Sequence, residues 1–236
     1  MIVRSEPDRL ILITQPDHAQ LARRIMERSP ALAARPRRDA ILQAIGEHDN
    51  GWKEEDAAPL VDSATGAIAD FVHIAVEVRH RVWPRGVARL AANPWAAALV
   101  AQHAITIYDR FRADAAWAAF FTEMESLRTT FVGGAGLTLG DLLADYPFVR
   151  LGDLISLSFC TGWTSEQRYA DWSVHAEGAH VIVRSAVAPG LFARSSVPIE
   201  IRATEIPPRT FASDDDLRAA IRAAGVVTLQ GTVVDA

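Results

Sequence analysis

The 236-residue sequence is poor in the features that mark secreted, membrane-spanning and nucleic-acid-binding proteins. A single cysteine, Cys160, excludes an intramolecular disulfide and suits a reducing compartment. No apolar run approaches the roughly 18 residues of a membrane span, and the first residues lack the basic start and cleavage site of a signal peptide. The net charge of −5 does not indicate a nucleic-acid-binding surface. We therefore expect a cytoplasmic, bacterial-type protein that has no nucleic-acid or membrane partner. Its expected partner is a small-molecule substrate, and it could form a homodimer.

Two short segments contain residue types that often occur in sites, and each has a simpler interpretation. Cys160 lies in the apolar run "LISLSFC", which favours a buried, inert thiol over a nucleophile. The basic cluster of Arg35, Arg37 and Arg38 has no interleaved aromatic residues. A solvated helix start is therefore favoured over a phosphate-binding patch.

Helical spacing of apolar residues dominates the chain as far as Trp163. An apolar run, "RLILIT", first predicts a short opening strand. The predicted helices then cover residues 14–28, 36–46, 71–90, 93–111, 114–128 and a segment that begins near Leu139 or Pro147. After Trp163, "HVIVRSAV" and "VPIEIRATEI" alternate as strands do, and a short helix capped by Ser213 precedes closing strands.

These patterns predict a mainly α fold, a helical bundle with a small C-terminal antiparallel β-rich extension, α+β overall. Residues 1–163 would form the helical core, and residues 164–236 the strand-rich extension, packed on the core as one domain. The polar stretch from Trp52 to Gly66 is predicted to be a long surface loop.

The segment "AIGEHDNGW" places His48 beside Asp49 just before a helix-breaking pair. Neighbouring side chains on a regular helix point about 100° apart, so both can reach one ion only where the helix ends. Asn50-Gly51 is typical of such an end. The segment therefore predicts either a metal site or a helix end that is simply polar.

Three further residues interrupt apolar helix faces: His18, His103 and Asp153. An ionised Asp is costly to bury without a partner, and a cation bound by imidazoles and carboxylates from several helices would supply one. Taken singly, each His could be a hydrogen-bonded core residue. Asp153 could equally cap a helix that begins at Leu154.

The order His, His-Asp, His, Asp on successive helices resembles the HD-domain superfamily of metal-dependent phosphohydrolases. The segments "QPDHAQLA", "AIGEHDNGW", "NPWAAALVAQHAITIY" and "LGDLISLSFC" are similar to an uncharacterised bacterial family of unknown function related to the HD proteins. The resemblance covers most of the chain and implies an HD-like fold with a metal site of His18, His48, Asp49 and Asp153, plus His103. Because His73 and His80 have less suitable settings as further ligands, we expect one divalent ion: Mn, Fe, Ni or Zn.

Such an ion would activate water and polarise a phosphoryl oxygen, which favours hydrolysis of a phosphoester or nucleotide-like small molecule. In this hypothesis His103 and Asp49 are catalytic, and His103 either binds the ion or contacts the attacking water. Candidates for substrate contact are Trp52 and Lys53, and candidates for outer groups around the ligands are Glu47 and Asp56. Two alternatives stay open, an HD-type iron-dependent oxygenase and a non-catalytic binding domain stabilised by metal.

Overall fold

The computed structural model describes residues 1–186 and 190–236. The helices are α1 Gln15–Met26, α2 Pro30–Ala33, α3 Arg38–Glu47, α4 Lys53–Ala57, α5 Val76–Arg89, α6 Pro94–Tyr108, α7 Ala118–Gly134, α8 Leu139–Thr161 and α9 Asp214–Ala223. The strands are β1 Ile2–Ser5, β2 Leu10–Ile13, β3 Gln167–Tyr169, β4 Trp172–Glu177, β5 His180–Ser185, β6 Ser196–Ile206 and β7 Gly225–Asp235. None of the helices in these ranges is both long and apolar enough to cross a bilayer.

One curled seven-stranded sheet joins the two ends of the chain, so the predicted helical bundle with a small C-terminal extension is wrong. The strand order is β1-β2-β6-β7-β5-β4-β3. The amino-terminal hairpin enters the sheet where β2 pairs antiparallel with β6, with Leu10 opposite Ile206. Helix accounts for 51% and strand for 20% of the structure, which makes the sheet a full layer of the fold.

The error has a physical cause in the short first hairpin. Strands β1 and β2 have four residues each, and an isolated two-stranded hairpin of that size is marginally stable. Such strands need a distant partner, and apolar alternation identifies a strand without identifying what it pairs with. The pairing of β2 with β6 therefore left no local signal in the sequence.

Helices α1 and α8 pack against the sheet and bring their polar residues under it. Helix α1 contacts β6, and α8 contacts β1, β4 and β5. Helix α6 lies among α3, α5, α7 and α8, and its residues 95–105 are all buried. A helix that is buried on every side belongs to the core, so His103 on α6 is a buried histidine.

The helix boundaries decide the setting of Asp153. Helix α8 begins after Thr138, whose hydroxyl oxygen accepts a hydrogen bond from the Asp141 backbone in a capping box. It continues through Pro147 to Thr161, so Asp153 lies inside a helix and not at its cap. Similarly, the predicted loop after Trp52 begins as a helix, α4.

Candidate metal centre

Three histidines and two aspartates from four parts of the chain meet in the interior of the protein, between the helices that carry them. None of the five is more than 6% exposed. They come from α1, the end of α3, α6 and α8: His18, His48, Asp49, His103 and Asp153. The structure therefore brings together all five residues that the sequence singled out as candidate ligands.

The donor atoms are spaced as ligands of one ion are. The Nε2 atom of His18 lies 3.1 Å from His48 Nε2 and 3.1 Å from Asp49 Oδ2. Asp153 Oδ1 lies 3.6 Å from each of these two Nε2 atoms. Two ligands about 2.1 Å from a shared ion and at right angles lie about 3 Å apart. His103 stands at the edge of this group, with Nε2 3.6 Å from the other oxygen of Asp153.

The outer nitrogens of two imidazoles are fixed by hydrogen bonds. His48 Nδ1 lies 2.7 Å from the Ile45 carbonyl oxygen, to which it can only donate. The Ser156 hydroxyl donates to the Asp153 carbonyl and accepts from His18 Nδ1 at 2.8 Å. If both rings are neutral, their Nε2 lone pairs face each other and the carboxylates, and a cation between them would balance this arrangement. The donor set thus fits a divalent metal ion.

The backbone after α3 lets His48 and Asp49 face the same point. Helix α3 ends at Glu47, and a 3-10 helix, Asn50–Trp52, turns the chain directly after Asp49. A Cβ atom on Gly51 would lie 1.9 Å from the Val82 carbonyl oxygen of α5. Gly51 is therefore required for close packing against α5, and it does not have a positive φ. The helix end that the sequence predicted before Asn50-Gly51 is confirmed, because α3 ends at Glu47.

Helix α5 also secures this turn by charge. The guanidinium groups of Arg85 and Arg89 donate to the backbone carbonyl oxygens of Gly51 and Asn50. The same two arginines form ion pairs with Glu54 on α4. These contacts hold the segment that carries Asp49 in place.

A cavity of about 260 Å³ opens onto the cluster, and sequence reasoning missed its arginines. Its lining includes His18, Asp49, His103 and Asp153 together with Arg79, Arg110 and Arg150. Arg150 forms an ion pair with Asp153 Oδ2 one turn along α8. Residues three apart on a helix are neighbours, so the sequence could have indicated the contact between Arg150 and Asp153. The positions of Arg79 and Arg110 beside the cavity depend on packing between distant helices.

The predicted substrate and outer residues have mixed placements. Trp52 lines the cavity, but Lys53 is exposed and, like Glu47, lies outside its lining. Asp56 is buried, and its carboxylate accepts a 2.5 Å hydrogen bond from the backbone N–H of Gln15. Asp56 thus holds the start of α1 without entering the cavity.

Gln15 is a cavity residue that sequence reasoning did not identify. Its side chain is buried, and its Oε1 atom has no hydrogen-bond partner within the described part of the chain. A buried amide oxygen without a partner is costly. Gln15 lies one turn before His18 and lines the same cavity, so its amide is available to a ligand there.

Burial and charge shift the pKa values of the cluster in opposite directions. Burial disfavours a charged His48, but the carboxylates of Asp49 and Asp153 outweigh it and raise the pKa of His48 to about 10. Burial lowers the pKa of His103 to about 3. Burial alone would raise the pKa of both aspartates, yet the neighbouring imidazoles hold it well below its usual value. In the metal-free protein a proton on His48 thus takes the place of the cation.

We expect the stability of the metal-free protein to peak near pH 6.5. The pKa of His48 is raised on folding, so its contribution is complete below pH 6.5 and is lost as the pH rises towards 10. The pKa of His103 is lowered on folding, so its contribution is lost as the pH falls from 6.5 towards 3. Between pH 6.5 and pH 8.5 the unfolding free energy of the metal-free protein should fall by on the order of 2 kcal/mol.

Urea unfolding with a chelator at pH 5, 6.5 and 8.5 measures this dependence. Saturating divalent metal should remove the alkaline loss, because the ion replaces the proton on His48. If the unfolding free energy of the metal-free protein stays level or rises between pH 6.5 and 8.5, His48 does not carry a stabilising proton.

Fold and site together define an α+β protein whose candidate metal centre lies at the base of a small cavity. The chain belongs to the family described as Protein of unknown function (DUF3891), which matches residues 1–208. No curated protein and no solved structure matches the chain significantly. The family match bears out the predicted membership of an unknown-function family, and nothing in the comparisons links the chain to the HD-domain superfamily.

Proposed function

We propose that this protein is a metal-dependent hydrolase of small phosphoesters. The observation that carries the proposal is the presence of three guanidinium groups, those of Arg79, Arg110 and Arg150, on the cavity that holds the His and Asp cluster. Arginine is favoured wherever a phosphate is bound through paired hydrogen bonds. The ligand order that resembles the HD-domain phosphohydrolases supports the same chemistry.

The charges around the cavity favour an anion. Arg150 is paired with Asp153, whereas Arg79 donates to the backbone carbonyls of Val72 and Ile74, and Arg110 lies over the Phe111 ring. Neither Arg79 nor Arg110 has a carboxylate partner among residues 1–186 and 190–236. A divalent ion on the cluster would add to this positive charge, and a phosphoester would balance it.

The protein groups have separable roles in this mechanism. The bound ion would supply a Lewis acid and lower the pKa of water. His103 is kept neutral by burial, so its Nε2 atom can accept a hydrogen bond from water in the cavity and orient it. The Tyr146 hydroxyl, 3.2 Å from His103 Nδ1, orients that ring. Arg150 and Arg110 would bind the phosphoryl oxygens, and the Gln15 amide would contact the water or the ester.

Phosphate inhibition tests the anion site directly. Protein reconstituted separately with Mn, Fe, Ni and Zn should release phosphate from phosphomonoesters or the alcohol from phosphodiesters in a panel of both, with inorganic phosphate as competitive inhibitor. We expect Arg110→Gln to raise the inhibition constant for phosphate about tenfold, the effect of losing about 1.4 kcal/mol. Arg112→Gln is the matched control, because Arg112 pairs with Asp109 and Glu125 outside the cavity lining.

Three results would reject the proposal in different ways. Metal that stabilises the protein without any turnover would favour a non-catalytic binding domain. Bound iron with a near-ultraviolet charge-transfer band and no phosphate release would favour an oxygenase. Equal inhibition constants in Arg110→Gln and Arg112→Gln would show that the cavity arginines do not bind phosphate.

A further inference from the structure

The mouth of the cavity is apolar and aromatic, in contrast to its charged base. Phe71, Val72 and Trp163 line it together, and we call these three residues the aromatic rim. The Phe71 and Trp163 ring centroids are 6.3 Å apart. Val72 is 39% and Trp163 37% exposed, so both side chains are accessible from solvent. The rim thus offers flat apolar surface to whatever enters the cavity.

The backbone that carries Trp163 is held on three sides. Helix α8 ends at Gly162, whose φ of 70° turns the chain out of the helix. The Trp163 backbone N–H donates to the Thr161 hydroxyl at 3.2 Å, and the Trp163 carbonyl accepts from Ala176 of β4 at 3.1 Å. The backbone position of Trp163 is therefore fixed. Its indole stays partly exposed, although burial of this large apolar ring would lower the free energy of the ligand-free protein.

The opposite side of the rim is fixed as well. One oxygen of the Asp70 carboxylate accepts from the backbone N–H groups of Val72 at 2.9 Å and His73 at 2.8 Å. This Asx-type turn holds the segment that contains Phe71 and Val72. Because both sides are ordered beforehand, a ligand that stacks there loses little binding energy to rearrangement.

We propose that the substrate carries a planar ring close to its phosphoryl group, and that this ring packs on the aromatic rim while the phosphoryl group reaches the arginines. The inference rests on the proposed hydrolase function and adds the class of its leaving group. A flat ring can lie face to face or edge to face on Trp163 and Phe71, whereas a puckered ring of equal size cannot match those faces. The cavity of about 260 Å³ limits the substrate to a small molecule.

A matched pair of phosphonates separates ring stacking from simple apolar burial. Benzylphosphonate and cyclohexylmethylphosphonate carry the same anionic group and rings of the same carbon number, and neither can be hydrolysed at its P–C bond. Calorimetric titration of the metal-loaded protein should show about three- to tenfold tighter binding of benzylphosphonate, since offset-stacked or edge-to-face aromatic pairs gain affinity beyond the area that they bury. Trp163→Leu should abolish this preference, and Trp163→Phe should retain most of it.

Catalysis gives a second measurement with esters of similar alcohol basicity. Benzyl phosphate should have a lower KM than cyclohexylmethyl phosphate at similar kcat, and Trp163→Leu should raise only the KM for the benzyl ester. Trp172→Leu is the control, because Trp172 lies on β4 outside the cavity lining. Thermal unfolding of each variant shows that the fold is retained.

The outcomes distinguish this inference from the hydrolase proposal. Equal binding of the two phosphonates, or a preference that survives Trp163→Leu, would overturn the stacking site even if both esters are hydrolysed. A preference for benzylphosphonate that depends on Trp163, without hydrolysis of either ester, would support the stacking site and reject the hydrolase.

Discussion

Asp49→Asn is expected to abolish metal binding and the turnover that depends on it. The substitution keeps the shape of the side chain but removes the negative charge that lies 3.1 Å from His18 Nε2 and 3.4 Å from His48 Nε2. Groups that only orient a metal ligand contribute about 10- to 100-fold to affinity. Loss of a direct ligand should therefore weaken binding by at least about 100-fold.

Metal content after dialysis and metal-induced thermal stabilisation measure this effect. A ligand that binds only the folded state raises its stability in proportion to the logarithm of ligand concentration over Kd. The wild-type protein should therefore gain stability with Mn, Fe, Ni or Zn, and Asp49→Asn should gain none at the same concentration. Phosphoester turnover should fall with metal content in the same variant.

Asp145→Asn is the matched control for a buried aspartate. Asp145 is fully buried and accepts hydrogen bonds from Arg35, Arg37 and the indole of Trp95. Removing its charge leaves two guanidinium groups without their partner and should cost about 3 kcal/mol of stability. Metal affinity should stay unchanged, because Asp145 is not one of the five candidate ligands.

The two variants thus separate metal binding from general folding. Asp49→Asn should lose metal, and its metal-free form should also lose the stability that the Asp49 charge gives to protonated His48. Asp145→Asn should lose stability and keep metal. Full metal content in Asp49→Asn would show that Asp49 is not a metal ligand. A wild-type protein that binds no metal would show that the cluster is a buried hydrogen-bond network, and the hydrolase proposal would fail with it.

The candidate ligands were predictable because each left a local mark on the sequence. His18, His103 and Asp153 break apolar helix faces, and the His48-Asp49 pair precedes a break in the helix. A polar residue among residues that are expected to be buried requires a partner. These positions therefore stand out in the sequence as candidates for one shared site. Their convergence on one point then follows from helices that share a core.

The cavity and the sheet were not predictable in the same way. Arg79, Arg110 and Trp163 resemble ordinary surface residues in the sequence, and only the packing of α5, α6 and α8 makes them neighbours. The pairing of β2 with β6 joins residues that are almost the whole chain apart. Helix spacing and caps are local properties, whereas these contacts depend on tertiary structure.

The second large effect is expected from Gly231→Ala, in the part of the chain beyond the family match. Gly231 lies in β7, opposite Ile199 of β6. A Cβ atom there would lie 2.2 Å from the Ala179 carbonyl oxygen and 2.5 Å from the Phe159 ring. The carbonyl is held against β7 by the backbone N–H of Thr232 at 3.1 Å, so it cannot move aside cheaply. We expect a loss of about 3 kcal/mol or more in unfolding free energy.

Gly225→Ala is the control within the same strand. A Cβ atom at Gly225 meets nothing within 4 Å, and this glycine is not among those with positive φ. Its substitution should change stability by less than about 1 kcal/mol, in either direction. Urea unfolding of the two variants against wild type measures the difference. Equal stabilities would mean that β7 does not pack as a central strand between β5 and β6.

The same substitution also tests whether the carboxy-terminal strand supports the metal centre. Phe159, which the new methyl group would displace, lies on α8 with Asp153 and Arg150. Strain against α8 should shift these residues relative to His18 and His48 on other helices, and ligand sites lose affinity steeply with small displacements. Gly231→Ala should therefore weaken metal binding as well as the fold, and Gly225→Ala should leave both unchanged. A destabilised Gly231→Ala protein with wild-type metal affinity would show that α8 holds Asp153 independently of the sheet.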